Sequence, residues 1–87
     1  MPEATERWEV ADEHNDEAFA RLGRALGVLG FDVADKLSGV GGSQDYSRWE
    51  LQSADGSVVV EAETYLGLSV AGSAELVRRV REQFARS

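Results

Sequence analysis

The sequence predicts an α+β fold: a two-layer sandwich in which an antiparallel sheet of three to four strands carries two helices on one face. Two observations support this prediction. The first is a pair of alternating apolar and polar runs on either side of Asp55-Gly56, a dipeptide typical of a two-residue hairpin turn. The second is a pair of apolar stripes with helical spacing, one before this hairpin and one at the end of the chain. The predicted order is β-α-(β)-β-β-α, with the bracketed strand optional.

The length and composition are those of one globular domain spanning residues 1–87. The chain has 87 residues, of which 43% are hydrophobic and 29% are charged, enough for one core. We expect residues 1–4 to be frayed. The chain has no cysteine, and neither a secretory signal nor an apolar run of about 18 residues is visible, so the expectation is a cytoplasmic protein that does not enter a membrane.

Acidity is concentrated at the amino terminus. The net charge is −7, and residues 1–17 carry seven acids against the single base Arg7. Because phosphates require a basic footprint, nucleic acid is disfavoured as a partner. An acidic segment could instead face a basic protein, although such a segment can also serve solubility alone.

The first element is predicted to be a short strand. Between Thr5 and Ala11 the residues alternate, with Trp8 and Val10 on the core face and Arg7 on the other. A helix follows, capped by Asn15 or Asp12 and ended by a glycine at position 30. Its apolar stripe consists of Phe19, Leu22, Leu26 and Leu29.

Small residues form a second strip on this helix. Ala20, Gly23 and Gly27 lie at positions i, i+3 and i+7, so they share a side of the helix. A strip without large side chains lets another backbone approach closely, and we expect this strip to contact the sheet. After the helix, Phe31 and Val33 suggest a short extended segment, and residues 35–43 lose all periodicity and are predicted to be a flexible glycine-rich loop.

The hairpin has a register that can be counted. If Ala54 pairs with Ser57, Trp49 opposes Ala62 on the core face. The predicted outer-face pairs are Arg48 with Glu63, Tyr46 with Tyr65, and Glu50 with Glu61. Alternation continues to Val70, so residues 57–71 are either one long strand kinked at Gly67 or two strands; unbroken parity favours one. The chain ends in a helix capped by Ser73, with Leu76, Val77, Val80 and Phe84 buried.

No combination of residues predicts catalysis, a metal site or a cofactor. His14 is the only histidine and lies in a run of acids at a helix start, where side chains diverge into solvent. The loop around Gly41 is followed by a strand and lacks the lysine of a phosphate-binding loop. Carboxylates on the outer sheet face should be exposed to solvent, and we therefore do not expect them to act in acid–base catalysis. We therefore expect no enzyme activity and no cofactor.

The outer sheet face is the predicted functional surface, because it mixes aromatic and charged residues as interfaces do. The predicted function is a small acidic protein-interaction domain, such as an adaptor, an inhibitor or an immunity-type binder, whose partner is another protein of basic character. A homo-oligomeric subunit with a ligand or enzymatic pocket shared across a dimer is the alternative, and an ordinary solvated face would explain the same pattern. The candidate binding residues are Tyr46, Arg48, Val59, Glu61, Glu63 and Tyr65.

Overall fold

Seven elements make up the fold in a computed structural model that describes residues 5–11, 16–41, 44–63 and 67–87. The elements are β1 Thr5–Ala11, α1 Asp16–Val28, β2 Asp32–Gly41, β3 Gln44–Ser53, β4 Gly56–Glu63, β5 Gly67–Ser73 and α2 Ala74–Arg86. Within the described residues the five strands form one antiparallel sheet in the order β1-β5-β4-β3-β2. The α+β class is therefore confirmed, and the predicted count of three to four strands is corrected to five.

The predicted loop over residues 35–43 is wrong through Gly41, because β2 pairs with β3 from Asp32 to Gly41. A bulge between Val33 and Asp35 shifts the register there. An extra residue reverses which face the following side chains occupy, so the alternation breaks in the sequence although the strand continues. Positions 42 and 43 lie outside the described residues.

Of the two alternatives for residues 57–71, the favoured single long strand is wrong and the division into two strands is confirmed. β4 ends at Glu63, and β5 begins at Gly67 with φ of 85° and returns antiparallel to β4. Glu63 lies opposite Gly67 and Val60 opposite Val70, so paired positions have the same parity. An antiparallel pair of strands with this register shows the same alternation of apolar and polar residues as one continuous strand. The alternation alone therefore cannot distinguish the two arrangements.

The β3–β4 hairpin is present with a register displaced by two residues from the predicted one. Ser53 opposes Gly56, which makes Ala54 and Asp55 the turn residues. Gly56 has φ of 137°, and the Ser53 hydroxyl accepts from the Asp55 N–H at 3.2 Å and donates to the Gly56 carbonyl at 3.3 Å. These contacts place the glycine at the start of β4 and not inside the turn.

A two-residue displacement keeps every side chain on its predicted face. Arg48 now opposes Glu61, and Glu50 opposes Val59, so the unfavourable pairing of Glu50 with Glu61 does not occur. Trp49 opposes Val60 in place of Ala62, and remains on the core face.

Both helices pack on the same face of the sheet, as predicted. Most residues of their apolar stripes meet the inward residues of the strands in one core, with Trp8, Trp49 and Phe84 packed at its margin. The predicted burial is wrong for Phe84, which is half-buried, and for Phe19, which is 41% exposed. The side chains of α2 continue this core over β1, β5 and β4. Leu22, Leu26, Phe31, Leu51, Val58, Val60, Leu68, Val70, Leu76 and Val80 form the buried cluster.

Contacts at the chain's end join the two helices. Arg21 of α1 donates from Nε to the carbonyl of Ser87 at 2.7 Å and lies 4.6 Å from the centre of the Phe84 ring. That ring meets Trp8 edge-on at 5.3 Å. The predicted cap of α2 is confirmed, since the Ser73 hydroxyl accepts from the Leu76 N–H at 3.3 Å. The cap predicted for α1, Asn15 or Asp12, lies outside the described residues.

The strip of small residues on α1 does not contact the sheet. Gly23 and Gly27 are exposed, and a Cβ added at either position would meet nothing within 4 Å. Ala20 is exposed as well. The expectation of a close backbone contact at this strip is therefore wrong, because α1 is rotated so that Leu22, Ala25 and Leu26 face the core.

Candidate interaction surface

The sheet face opposite the helices is called here the open sheet face. Its residues form rows, and each row consists of residues that are paired across neighbouring strands. Neither helix lies over it in the part of the chain that the structure describes. Each row crosses the strands from β2 towards β1. The first row is Asp35, Glu50, Val59, Ala71 and Arg7; the second is Leu37, Arg48, Glu61, Ser69 and Glu9; the third holds Tyr46, Glu63 and Gly67.

Five of the six predicted binding residues occupy this face. Tyr46 and Arg48 alternate along β3, and Val59, Glu61 and Glu63 alternate along β4. All five are partly exposed. Because the two strands are neighbours, these side chains form a continuous patch.

Tyr65, the sixth predicted residue, lies outside the described residues. The predicted pairing of Tyr46 with Tyr65 is wrong, since Tyr46 has Glu63 as its partner across β3 and β4. The displaced hairpin register explains this difference.

Tyr46 is fixed by a hydrogen bond to a diagonal neighbour. Its hydroxyl donates to Oε2 of Glu61 at 3.3 Å. Partial burial, followed by the negative charge of Glu61 and this hydrogen bond, raises the pKa of the Tyr46 phenol, against an opposing effect of Arg48. The Tyr46 phenol is therefore neutral at physiological pH. Its side chain presents an apolar ring whose hydroxyl is held by Glu61.

Arg48 lies among more carboxylates than it can neutralise. One of its terminal nitrogens is 3.5 Å from Oε1 of Glu50, with the two side chains 41% and 50% exposed. Exposed pairs of this kind contribute only about 0–1 kcal/mol. The Arg48 Nε is buried and has no hydrogen-bond partner among the described residues, and a buried unsatisfied donor costs about 1–3 kcal/mol.

The open sheet face is acidic as a whole. The three rows named above hold five carboxylates, from Glu9, Asp35, Glu50, Glu61 and Glu63, against two guanidinium groups. Apolar area lies between them at Val59 and at Leu37, a residue that is 58% exposed. The face thus combines a negative potential with apolar and aromatic contact area.

Sequence reasoning missed the residues that β2 contributes to the first two rows, and it missed the pairing of β1 with β5. Leu37 and Asp35 lie in the segment that was predicted to be a loop. The side of the sheet on which they lie depends on the bulge between Val33 and Asp35, which the sequence analysis did not predict. Ser69, 6% exposed in the centre of the sheet, was assigned to a continuation of β4. Arg7 was assigned to the correct face of its strand, but nothing in the sequence indicated that β1 pairs with β5.

No metal site is present in the described ranges, which hold no group of three histidine, cysteine or carboxylate side chains able to hold an ion. The acidic run around His14 lies largely outside them. Neither described helix is long and apolar enough to cross a membrane. Comparison with protein-family models, with curated proteins and with solved structures returned no match for this chain.

Proposed function

We propose that this protein is a small non-catalytic interaction domain that binds a basic region of another protein through its open sheet face. The observation that supports this proposal is the composition of that face: Tyr46 and Val59 lie partly buried among five carboxylates, and no described helix covers them. Aromatic and apolar groups ringed by charge are typical of interface centres. An adaptor, an inhibitor and an immunity-type binder are the roles that fit such a domain.

Electrostatics favours a basic partner over a second copy of the same face. A twofold contact between two open sheet faces would bring five carboxylates of each chain together against two guanidinium groups of each. Repulsion at such a contact opposes association. A basic partner instead gains attraction over the whole face, and its association should weaken as salt rises.

Arg48 would set the specificity of this contact. Its guanidinium is the cation of the patch, between Glu50 and Glu61. A partner that carried only positive charge would be repelled at this point, so an acceptor or carboxylate opposite Arg48 is expected within an otherwise basic surface.

The test is binding from native extract by three forms of the full chain: wild type, Tyr46→Ala with Glu61→Lys, and Glu82→Lys. Glu82 is exposed on α2, away from the open sheet face, and its replacement makes the same change of charge as Glu61→Lys. We expect a stoichiometric, salt-sensitive partner with wild type and with Glu82→Lys, and its loss with the double variant.

Thermal unfolding checks that the double variant remains folded. The purified partner should then perturb amide resonances of β3 and β4 and leave those of α2 unchanged. A partner retained equally by all three proteins, or perturbations confined to the helices, would show that the open sheet face is an ordinary solvated surface.

A further inference from the structure

A second candidate site lies on the other side of the sheet, between α1 and the strands β2 and β3. It is a cavity of about 140 Å³ with almost entirely apolar walls. Aromatic rings from α1 and β3 meet at its wall, where the Phe19 and Trp49 ring centres are 5.2 Å apart. Its main lining residues are Phe19, Leu22, Gly23, Val33, Trp49 and Leu51.

The cavity is open because α1 lacks a side chain at Gly23. A Cβ at this position would meet nothing within 4 Å. On the two rims, Phe19 is 41% exposed and Val33 is 60% exposed. A ligand that covers this exposed apolar surface removes it from water, which favours binding.

The volume sets the size of the occupant. Apolar cavities of about 150 Å³ in other proteins bind benzene, so this cavity suits a single six-membered ring. A ring also matches the walls, because aromatic groups pack favourably against Phe19 and Trp49 in offset or edge-on geometry.

Lys36 supplies the charge that would orient such a ligand. Its ammonium lies over the ring of Trp49, 5.7 Å from the ring centre, and that ring forms part of the cavity wall. It is the chain's single lysine, and no described carboxylate forms an ion pair with it. A cation that has no carboxylate partner among the described residues, held over a ring of an apolar cavity, favours a ligand with an anionic head and an apolar body.

We propose that this cavity binds a small single-ring aromatic monocarboxylate, with its ring against Phe19 and Trp49 and its carboxylate at the Lys36 ammonium. This site is independent of the proposed protein interaction, because its residues lie on the helix side of the sheet.

Phenylacetate is the probe, titrated into the full chain and followed by nuclear magnetic resonance. We expect saturable shifts of the Lys36 ε-methylene and of the Leu22 and Val33 methyl groups. Neutral phenylacetamide should bind about two- to five-fold more weakly, as should phenylacetate to Lys36→Met, because an exposed ion pair contributes roughly 0.5–1 kcal/mol. Hexanoate tests the shape requirement and should also bind more weakly.

Gly23→Leu tests the cavity without endangering the fold, because leucine favours the helix and has free space at this position. Its side chain leans back towards the amino terminus, over Phe19, and should weaken phenylacetate binding by at least about tenfold. Gly27→Leu is the matched control: it lies one turn further on α1, has equal free space and does not line the cavity, so it should bind as wild type does.

Three results would overturn the proposal. They are the absence of saturable shifts at the cavity residues of wild type, equal affinity of wild type and Gly23→Leu, and equal affinity for the acid and the amide in both wild type and Lys36→Met. Tighter binding of hexanoate than of phenylacetate would overturn the assignment of an aromatic ligand.

Discussion

Replacing the two interior glycines of α1 with alanine should stabilise the protein. Gly23 and Gly27 lie inside the helix Asp16–Val28. Both are exposed, and an added Cβ would meet nothing within 4 Å at either position. The methyl group of alanine therefore meets no resistance in the folded state, whereas glycine gives the unfolded chain more conformational freedom.

The expected gain follows from helix propensity. Each glycine is about 0.8–1 kcal/mol less favourable than alanine in a helix interior, so the double variant should gain roughly 1.5–2 kcal/mol in free energy of unfolding. For a domain of this size each kcal/mol shifts Tm by about 4–8 °C, which predicts an increase of roughly 6–16 °C.

Thermal and urea unfolding of the two single variants and the double variant measure this gain. The urea m-value should stay constant, because the surface exposed on unfolding hardly changes. Gly56→Ala is the opposite control. Its φ is 137°, and a Cβ there would lie 2.9 Å from Cδ1 of Leu76, so we expect a loss of more than about 1 kcal/mol.

A loss of stability in Gly23→Ala or Gly27→Ala would refute this reasoning. Such a loss would mean that the small residues pack against another surface, as the sequence alone had suggested. A gain in the variants at low protein concentration that vanished at high concentration would place that surface on a second copy of the chain.

Three further predictions concern the core, the cap of α2 and the open sheet face. Val70→Ala, at a position that is 0% exposed, should lower the free energy of unfolding in urea by about 2–3 kcal/mol; a loss below 0.5 kcal/mol, on the order of a surface change, would contradict the core assignment. Ser73→Ala removes the acceptor for the Leu76 N–H and should cost about 0.5–2 kcal/mol, whereas Ser73→Asp should retain most of the stability by supplying another capping oxygen. Because the pKa of Tyr46 is raised above its usual value of 10.0, its neutral form contributes stability that is complete below pH 10 and is lost as pH rises through the folded pKa. Glu61→Gln should lower that pKa in a tyrosinate absorbance titration, with Tyr46→Phe identifying the signal; an unchanged midpoint would show that Glu61 has no effect.

Local patterns were sufficient for several parts of the fold. The apolar stripes of both helices, the Ser73 cap and the separation of Tyr46 and Trp49 onto opposite sheet faces could all be predicted, since each depends on spacing within one segment. The candidate surface was largely predicted for the same reason: residues on one strand share a face whatever the pairing is. The displacement of the hairpin register by two residues did not change the residues of this surface, since side chains alternate between the two faces with a period of two.

Pairing between segments required the structure. The bulge after Val33 concealed most of β2, and the equal parity of Val60 and Val70 concealed that β4 and β5 are two antiparallel strands. Both errors arise because a pattern along one strand carries no information about where its partner lies.

The sequence was sufficient to predict the α+β class, most of the inward faces of the helices and the acidic character of the chain. It also determined which hairpin residues share the open sheet face, because hydrophobic periodicity decides what must be buried in any arrangement of these elements. It took the tertiary structure to show that five described strands form the sheet, that Leu37 and Asp35 lie on the acidic face, and that Gly23 borders an open cavity. These features depend on distances between remote segments, and those distances are set by packing of the whole chain and not by any local run of residues.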